Sequence, residues 1–317
     1  MPLKSFLSFF WIINVFVILL AIGCTGDSGK NTAPKGSEKN PIIMGFNPAE
    51  SSDVILTNAD ALAQVIEKQT GYKIKTYVAQ SYPALVTALQ HEHVDFAWLP
   101  PFAYVQAEEV ADAEVLLKAV RDGQPYYFGA IIVRSDSPFE KIEDLKGKSI
   151  AWASETSTSG RIFPLAALMK LGYDPETFFS DSKIAGGHDA ALLAVFHGQV
   201  DAAATFAADN EGIKGSWTQF LDEDQQGSIK PIFFTEPIPS DTMSTSSKFR
   251  KEHPEIVEKI TETVKSLSEA AETRELLKVL YNIDAMVDAT SEDYNPVREA
   301  ASLLGIDVEG PKKKSRE

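Results

Sequence analysis

The sequence predicts an α/β protein in which strands and helices alternate, and three observations carry that prediction. Short apolar runs end in polar loops that open onto helical periodicity, as where Ser149-Ile150-Ala151-Trp152-Ala153 passes through a hydroxyl-rich loop into Ile162, Leu165, Ala166 and Met169. The same unit recurs at Val94-Asp95-Phe96-Ala97-Trp98, followed by a proline turn, and at Ile184-Ala185, followed by Gly186-Gly187 and an apolar helix. A chain of 317 residues, 44% hydrophobic and 24% charged, has the apolar content for one large or two modest domains with proper cores.

At the N-terminus Lys4 precedes an apolar run over residues 6–22, broken only by Ser8 and Asn14 and closed by Gly23-Cys24. A positive end, an apolar centre and small residues at the cut make a signal-peptide layout over residues 1–23. A membrane-spanning anchor is the rival reading, because the run approaches the length a bilayer needs. Ala21-Ile22-Gly23-Cys24 resembles a bacterial lipobox, with Ala21 where leucine is usual; the resemblance implies cleavage before Cys24 and its lipidation. Cys24 is the sole cysteine, so no internal disulfide forms. Residues 24–40, rich in Gly, Ser, Lys and Asn without apolar periodicity, are expected to form a flexible tether.

Residues 41–46 make a short apolar strand closed by turn chemistry over residues 47–52, and Asn58 is placed to cap a helix over residues 59–69 that stops at Gly71. Residues 73–78 alternate as a strand, and Ser81-Tyr82-Pro83 enters a helix ending near Gln90. His91 and His93 straddle a polar turn; with no third ligand nearby they are expected to be solvated rather than metal-bound. Residues 126–133 have a buried-strand pattern, ended by Arg134-Ser135-Asp136-Ser137-Pro138. The helix after the hydroxyl loop runs to Leu171 and stops at Gly172-Tyr173-Asp174-Pro175. Residues 200–206 and 229–235 are strands, and helices are expected over 255–271, 274–280 and 291–304 before a polar tail at 307–317.

Chemistry concentrates at two helix starts. Ser157, Thr158, Ser159 and Gly160 stand where the first N–H groups of a helix lack partners, and the partial positive charge there suits an anion. Pro164 lacks the N–H a helix interior needs, so this helix either begins late or has an irregular first turn. His188 stands at another helix start beside a glycine pair, where a ligand can approach closely. With 30 Lys and Arg against 45 Asp and Glu, the formal charge is −15, which makes nucleic acid and acidic membrane surfaces poor partners. An anion must then be held by local donors.

Taken together, Ser157-Thr158-Ser159-Gly160, Gly187-His188-Asp189 and Ile238-Pro239-Ser240-Asp241 resemble the motifs of the periplasmic phosphonate-binding protein family, over about residues 42–304. The resemblance implies a two-lobed α/β fold of the type 2 periplasmic-binding-protein kind with a ligand cleft between the lobes. It implies lobe 1 from residues 41–133 plus 239–306, lobe 2 from 134–238, and a first hinge strand near Ile132 to Arg134. It also implies a solute receptor of an ABC importer, taking phosphonate, phosphite, methylphosphonate or phosphate, with a permease and ATPase as partners, a monomeric state and no catalysis or cofactor. Carried over by motif, the ligand contacts are Ser157, Thr158, Ser159, His188, Tyr82 and Asp241, with Asp209, Trp98, Ser51 and Ser52 as further candidates. Ala208 stands where relatives that bind an aminoalkyl phosphonate carry a carboxylate, so that ligand is disfavoured.

Two other functions compete. A sensor reporting the same ligand to a membrane partner has the same sequence signature. A serine hydrolase using Ser157 or Ser159 with His188 and an aspartate is conceivable, but the G-x-S-x-G elbow is absent.

Overall fold

The computed structural model describes residues 33–48, 52–306 and 308, with the Ser52 side chain excepted. Signal segment 1–23, Cys24 and Ser51 lie outside the described residues, as does most of the expected tether and tail. No helix among the described residues is long and apolar enough to cross a membrane.

The chain builds β1 (Ile42–Phe46), α1 (Ser52–Thr70), β2 (Ile74–Val78), α2 (Tyr82–Gln90), β3 (Phe96–Leu99), α3 (Pro101–Ala111) and β4 (Ala113–Val120). It then crosses to β5 (Tyr126–Arg134), β6 (Ser149–Trp152), α4 (Phe163–Lys170), α5 (Pro175–Phe178), β7 (Asp181–Ile184), α6 (His188–Phe196), β8 (Ala202–Ala207), α7 (Ser216–Phe220), β9 (Ile229–Phe234) and β10 (Ile238–Pro239). It returns through β11 (Thr242–Ser246), α8 (Ser247–Glu252), α9 (Pro254–Ser266), α10 (Ala271–Tyr281), β12 (Ala285–Asp288) and α11 (Asn295–Leu303).

Two sheets result. The first has the order β12-β4-β11-β3-β1-β2, with β1 parallel to β2 and β3, and β11 antiparallel between β3 and β4. The second has the order β10-β5-β8-β6-β7, with β9 also on β5 and β6 parallel to both neighbours. Side-chain alternation along each strand divides the cores. Ile42, Met44 and Phe46 face α1, α9 and α10, whereas Ile43 turns to the side covered by α2, α3 and α11. In α9 the buried Ile256, Val257, Ile260 and Val264 keep helical spacing and lay one stripe on the sheet.

The lobe boundary differs from the sequence expectation. All of β5 belongs to the second sheet, pairing with β8 from Phe128 to Val133, and β10 pairs with its first residues. The chain therefore crosses at residues 121–125, not near Ile132 to Arg134, and returns at Ser240 and Asp241. Asp122 and Gly123, both in the left-handed region, turn the first crossing. Helix α1 also begins earlier than expected. Its buried stripe starts at Ile55 and continues through Ala59, Leu62 and Ile66, so Asn58 lies inside the helix and its amide donates to the Val279 carbonyl.

Residues 33–40 are packed rather than a free tether. The Lys73 N–H donates to the Gly36 carbonyl, and Lys35 Nζ lies 2.6 Å from Asp95 Oδ2, which also accepts the Ile43 N–H at 2.6 Å. A buried carboxylate requires such a partner, so the expected tether ends where Lys35 is needed. At the other end Val308 packs on the lobe 1 core.

Candidate functional site

A cavity of about 100 Å³ lies where the two sheets face each other. Seven of its seventeen lining residues stand beyond the carboxyl ends of parallel strands: Asn47 after β1, Tyr82 after β2, Pro100 after β3, Ser157 to Ser159 after β6 and His188 after β7. That is where open α/β sheets hold ligands, because loops there face a crevice and helices begin there.

Four of these segments are helix starts aimed at the cavity. Tyr82 is the first residue of α2 behind the Ser81 cap, and Pro100 precedes α3, whose start has no side-chain cap. His188 begins α6 with Gly187 as an uncapped N-terminus. Thr158–Ile162 form a π turn leading into α4, with Ser157 as the cap. Pro164 accounts for the irregular turn. It offers no N–H to the Gly160 carbonyl, which takes the Ala153 N–H instead, while Ile162 N–H reaches back to Ser157.

Gly160 permits the close packing of this turn. A Cβ there would sit 2.5 Å from Ala153 Cβ, 2.9 Å from Ser157 Oγ and 3.0 Å from His188 Cε1. Ser157 Oγ accepts the Gly160 N–H at 3.0 Å and lies 3.3 Å from His188 Nε2, whose partner nitrogen lies 3.1 Å from Thr205 Oγ1. Thr158 Oγ1 accepts the Phe102 N–H at 3.0 Å across the cleft, joining the start of α3 to the hydroxyl loop. Ser159 and Tyr127 share the cavity wall.

The histidine and the two tyrosines facing the cavity are held neutral. Burial alone lowers the His188 pKa to about 4, so its ring is uncharged at neutral pH. Burial, reinforced by Asp241, raises Tyr82 and Tyr127 well above the usual phenol range. Both keep their O–H.

Of the sequence-based candidates, Ser157, Thr158, Ser159, His188, Tyr82 and Asp241 come together on this wall. Asp209 does not. Its carboxylate is consumed by the following turn, accepting the Glu211 and Ile213 N–H groups at 3.0 Å each and that of Lys214 at 2.8 Å. Ala208, one residue earlier, lines the cavity. Trp98 is also displaced from the role assigned to it: it is 1% exposed, stacks on Phe46 and supplies only its carbonyl, which accepts from the Asn47 amide at 3.1 Å. Ser51 and the side chain of Ser52 lie outside the described residues.

The structure adds Arg121, Asn47, Tyr127, Gln219 and an apolar side formed by Phe206, Phe220 and Ala207. Arg121 is a cation on the wall that was not among the sequence-based candidates. Its Nη2 lies 2.5 Å from Asp241 Oδ2 and its Nε donates to the Tyr281 carbonyl at 3.0 Å. The Asp122-Gly123 turn was the signal that could have placed Arg121 at a crossing. The hydrolase alternative lacks its orienting acid, since a threonine hydroxyl occupies the second nitrogen of His188 and no carboxylate pairs with it among the described residues.

Two sheets, two crossings and a donor-lined cavity between them define a two-lobed solute-binding protein of the type 2 class. The chain belongs to the family described as ABC transporter, phosphonate, periplasmic substrate-binding protein, which matches residues 44–294. It is similar to the phosphate-import protein PhnD of Mycolicibacterium smegmatis, 33% identical over 201 residues, covering 60% of this chain and 62% of that protein. It is also similar to the phosphonates-binding periplasmic protein of Escherichia coli, 26% identical over 209 residues, covering 64% and 60% respectively. The matches thus span less than two thirds of these relatives. Among solved structures, the binding protein component of a Pseudomonas aeruginosa ABC phosphonate transporter shares the fold at a TM-score of 0.73 and 22% identity, covering 86% of this chain and 90% of that one. Prochlorococcus marinus PhnD1, solved with methylphosphonate, does so at 0.73 and 20%, covering 84% and 98%.

Proposed function

We propose that the protein captures a small phosphorus oxyanion in the cleft and delivers it to an ABC permease and ATPase, without chemistry of its own. Phosphonate, phosphite, methylphosphonate and phosphate form the ligand class. The observation that supports this reading best is the convergence of helix starts and neutral O–H donors on one cavity of an acidic protein. Such donors hold an anion by fixed partial charges and need no net positive field.

The apolar side argues for a ligand with a short uncharged substituent. Among the described residues an ammonium group finds no free carboxylate beside Ala208, because Asp241 is held by Arg121 and Asp209 by its turn. The cavity, at about 100 Å³, is far below the several hundred Å³ of drug-sized pockets.

Cys24 is proposed as the lipid-modified residue, after loss of residues 1–23, anchoring a monomeric receptor at the outer face of a bacterial membrane. Labelled fatty acid entering the wild-type protein but not Cys24→Ser is the expected result. Ligand capture is tested by calorimetry of the purified protein against phosphite, methylphosphonate, phosphate and 2-aminoethylphosphonate. Binding of at least one of the first three at micromolar concentration, with 2-aminoethylphosphonate weaker, supports the reading; no heat from any of them ends it.

A further inference from the structure

Behind the hydroxyl loop, three side chains form a chain running from the core to the cleft. Thr205 lies mid-strand in β8, fully buried, and its hydroxyl meets only His188 Nδ1 among the described residues, at 3.1 Å. His188 Nε2 meets Ser157 Oγ at 3.3 Å, and Ser157 Oγ also accepts the Gly160 N–H at 3.0 Å.

A neutral imidazole carries one proton, so two arrangements exhaust the possibilities. With the proton on Nδ1, the ring donates to Thr205 Oγ1. The threonine's own proton is then sealed in the core without an acceptor, and Ser157 donates to Nε2 and has nothing left for the cleft. With the proton on Nε2, Thr205 donates to Nδ1 and the ring donates to Ser157 Oγ. The Ser157 proton then faces the cavity. The first arrangement orphans the Thr205 proton in the core, whereas the second leaves only the Ser157 proton free and turns it to the cavity, where a ligand oxygen can accept it; an orphaned buried donor is costly.

We infer that Thr205 is a positioning residue that locks His188 in the Nε2–H tautomer and thereby makes Ser157 a donor toward the cleft. This rests on the reading of the cleft as an oxyanion site. A proton on Nε2 serves an anion by either route, directly from the ring or through Ser157. The same polarity sets a preference among ligand states: the oxygen set against Ser157 must accept, so a deprotonated oxygen is taken over a protonated one.

The tautomer is measurable without ligand. In purified protein labelled with ¹⁵N-histidine, long-range ¹⁵N–¹H couplings of the ring, assigned by their loss in His188→Gln, are expected to show Nε2–H at neutral pH; an Nδ1–H pattern overturns the inference. Thr205→Val, close in shape, is expected to weaken binding of the tightest of phosphite, methylphosphonate and phosphate by roughly tenfold, with Thr205→Ser within about twofold of wild type. Wild-type affinity in Thr205→Val overturns it too. Should Thr205→Val fail to fold, the tautomer in the wild-type protein still decides. Wild-type protein that binds none of the three anions refutes the proposed function and leaves the tautomer measurement to judge the lock separately.

Discussion

Arg121 Nη2 lies 2.5 Å from Asp241 Oδ2, and the two residues occupy the two segments by which the chain passes between lobes. Main-chain bonds reinforce the pairing: Ala119 N–H donates to the Asp241 carbonyl and Ser240 N–H to that of Pro125. One ion pair therefore joins both crossings on the wall of the cavity. In the proposed function it would place a cation beside the anion while cancelling the field that Asp241 alone would oppose to it.

Arg121→Gln tests that arrangement. It leaves the Asp241 carboxylate unpaired on the cavity wall, where it repels an anion, and truncating one member of such a pair costs roughly 2 to 5 kcal/mol. Oxyanion affinity is expected to fall by that order in calorimetry. Asp241→Asn in the same background should restore part of it; a single Arg121→Gln variant that binds like wild type refutes the role.

Thr158 connects the lobes. Its Oγ1 accepts the Phe102 N–H at 3.0 Å, so Thr158→Val leaves that helix-start donor without a partner in the closed cleft. Closure is expected to be weaker by about 1 to 3 kcal/mol. The readouts are a lower affinity and a larger radius of gyration by small-angle scattering at subsaturating ligand, both close to wild type in Thr158→Ser. Equal scattering curves for Thr158→Val and wild type would contradict it.

Gly160→Ala adds a methyl with no room. The clash with Ala153, Ser157 and His188 forces the π turn away from α6, and overpacking of this kind costs about 1 to 3 kcal/mol of stability. Denaturant unfolding should show the loss, and binding should weaken along with it because Ser157 and His188 move. An unperturbed unfolding midpoint would mean the turn is looser than described.

Acid should weaken the fold through His188. Its folded pKa of about 4 lies below the 6.5 of a free histidine, so between those values the unfolded chain binds the proton and the native one does not. Stability from this residue is present above pH 6.5 and is lost as pH falls toward 4, to a total of roughly 3 kcal/mol at 1.36 kcal/mol per unit. Urea unfolding of wild type and His188→Gln across that window isolates the histidine from the carboxylates that titrate nearby. Parallel profiles for the two proteins would dismiss it.

Much of the site was legible because its signals are local. A helix start after a strand shows in a few consecutive residues, and Ser157, Thr158, Ser159, Tyr82 and His188 all stand at such starts. The irregular turn was legible too, from the missing N–H of Pro164. Asp209 misled because residue type says nothing of direction: its carboxylate points into the turn that follows it. Trp98 misled for a related reason, since a strand places alternate side chains on opposite faces and Trp98 falls on the face covered by Phe46 and Tyr281.

By itself the sequence determined the alternation of strands and helices, the hydroxyl loop with its histidine, and the acidic charge of the chain. These depend on period and turn chemistry within a few residues. The tertiary structure alone decided where the chain crosses between lobes, that Arg121 meets Asp241 across 120 residues of sequence, and that Thr205 stands behind His188. Each is set by sheet pairing and by the need of buried polar groups for partners from other segments; the Asp122-Gly123 turn marks a bend after Arg121, and only the pairing of strands makes that bend a crossing.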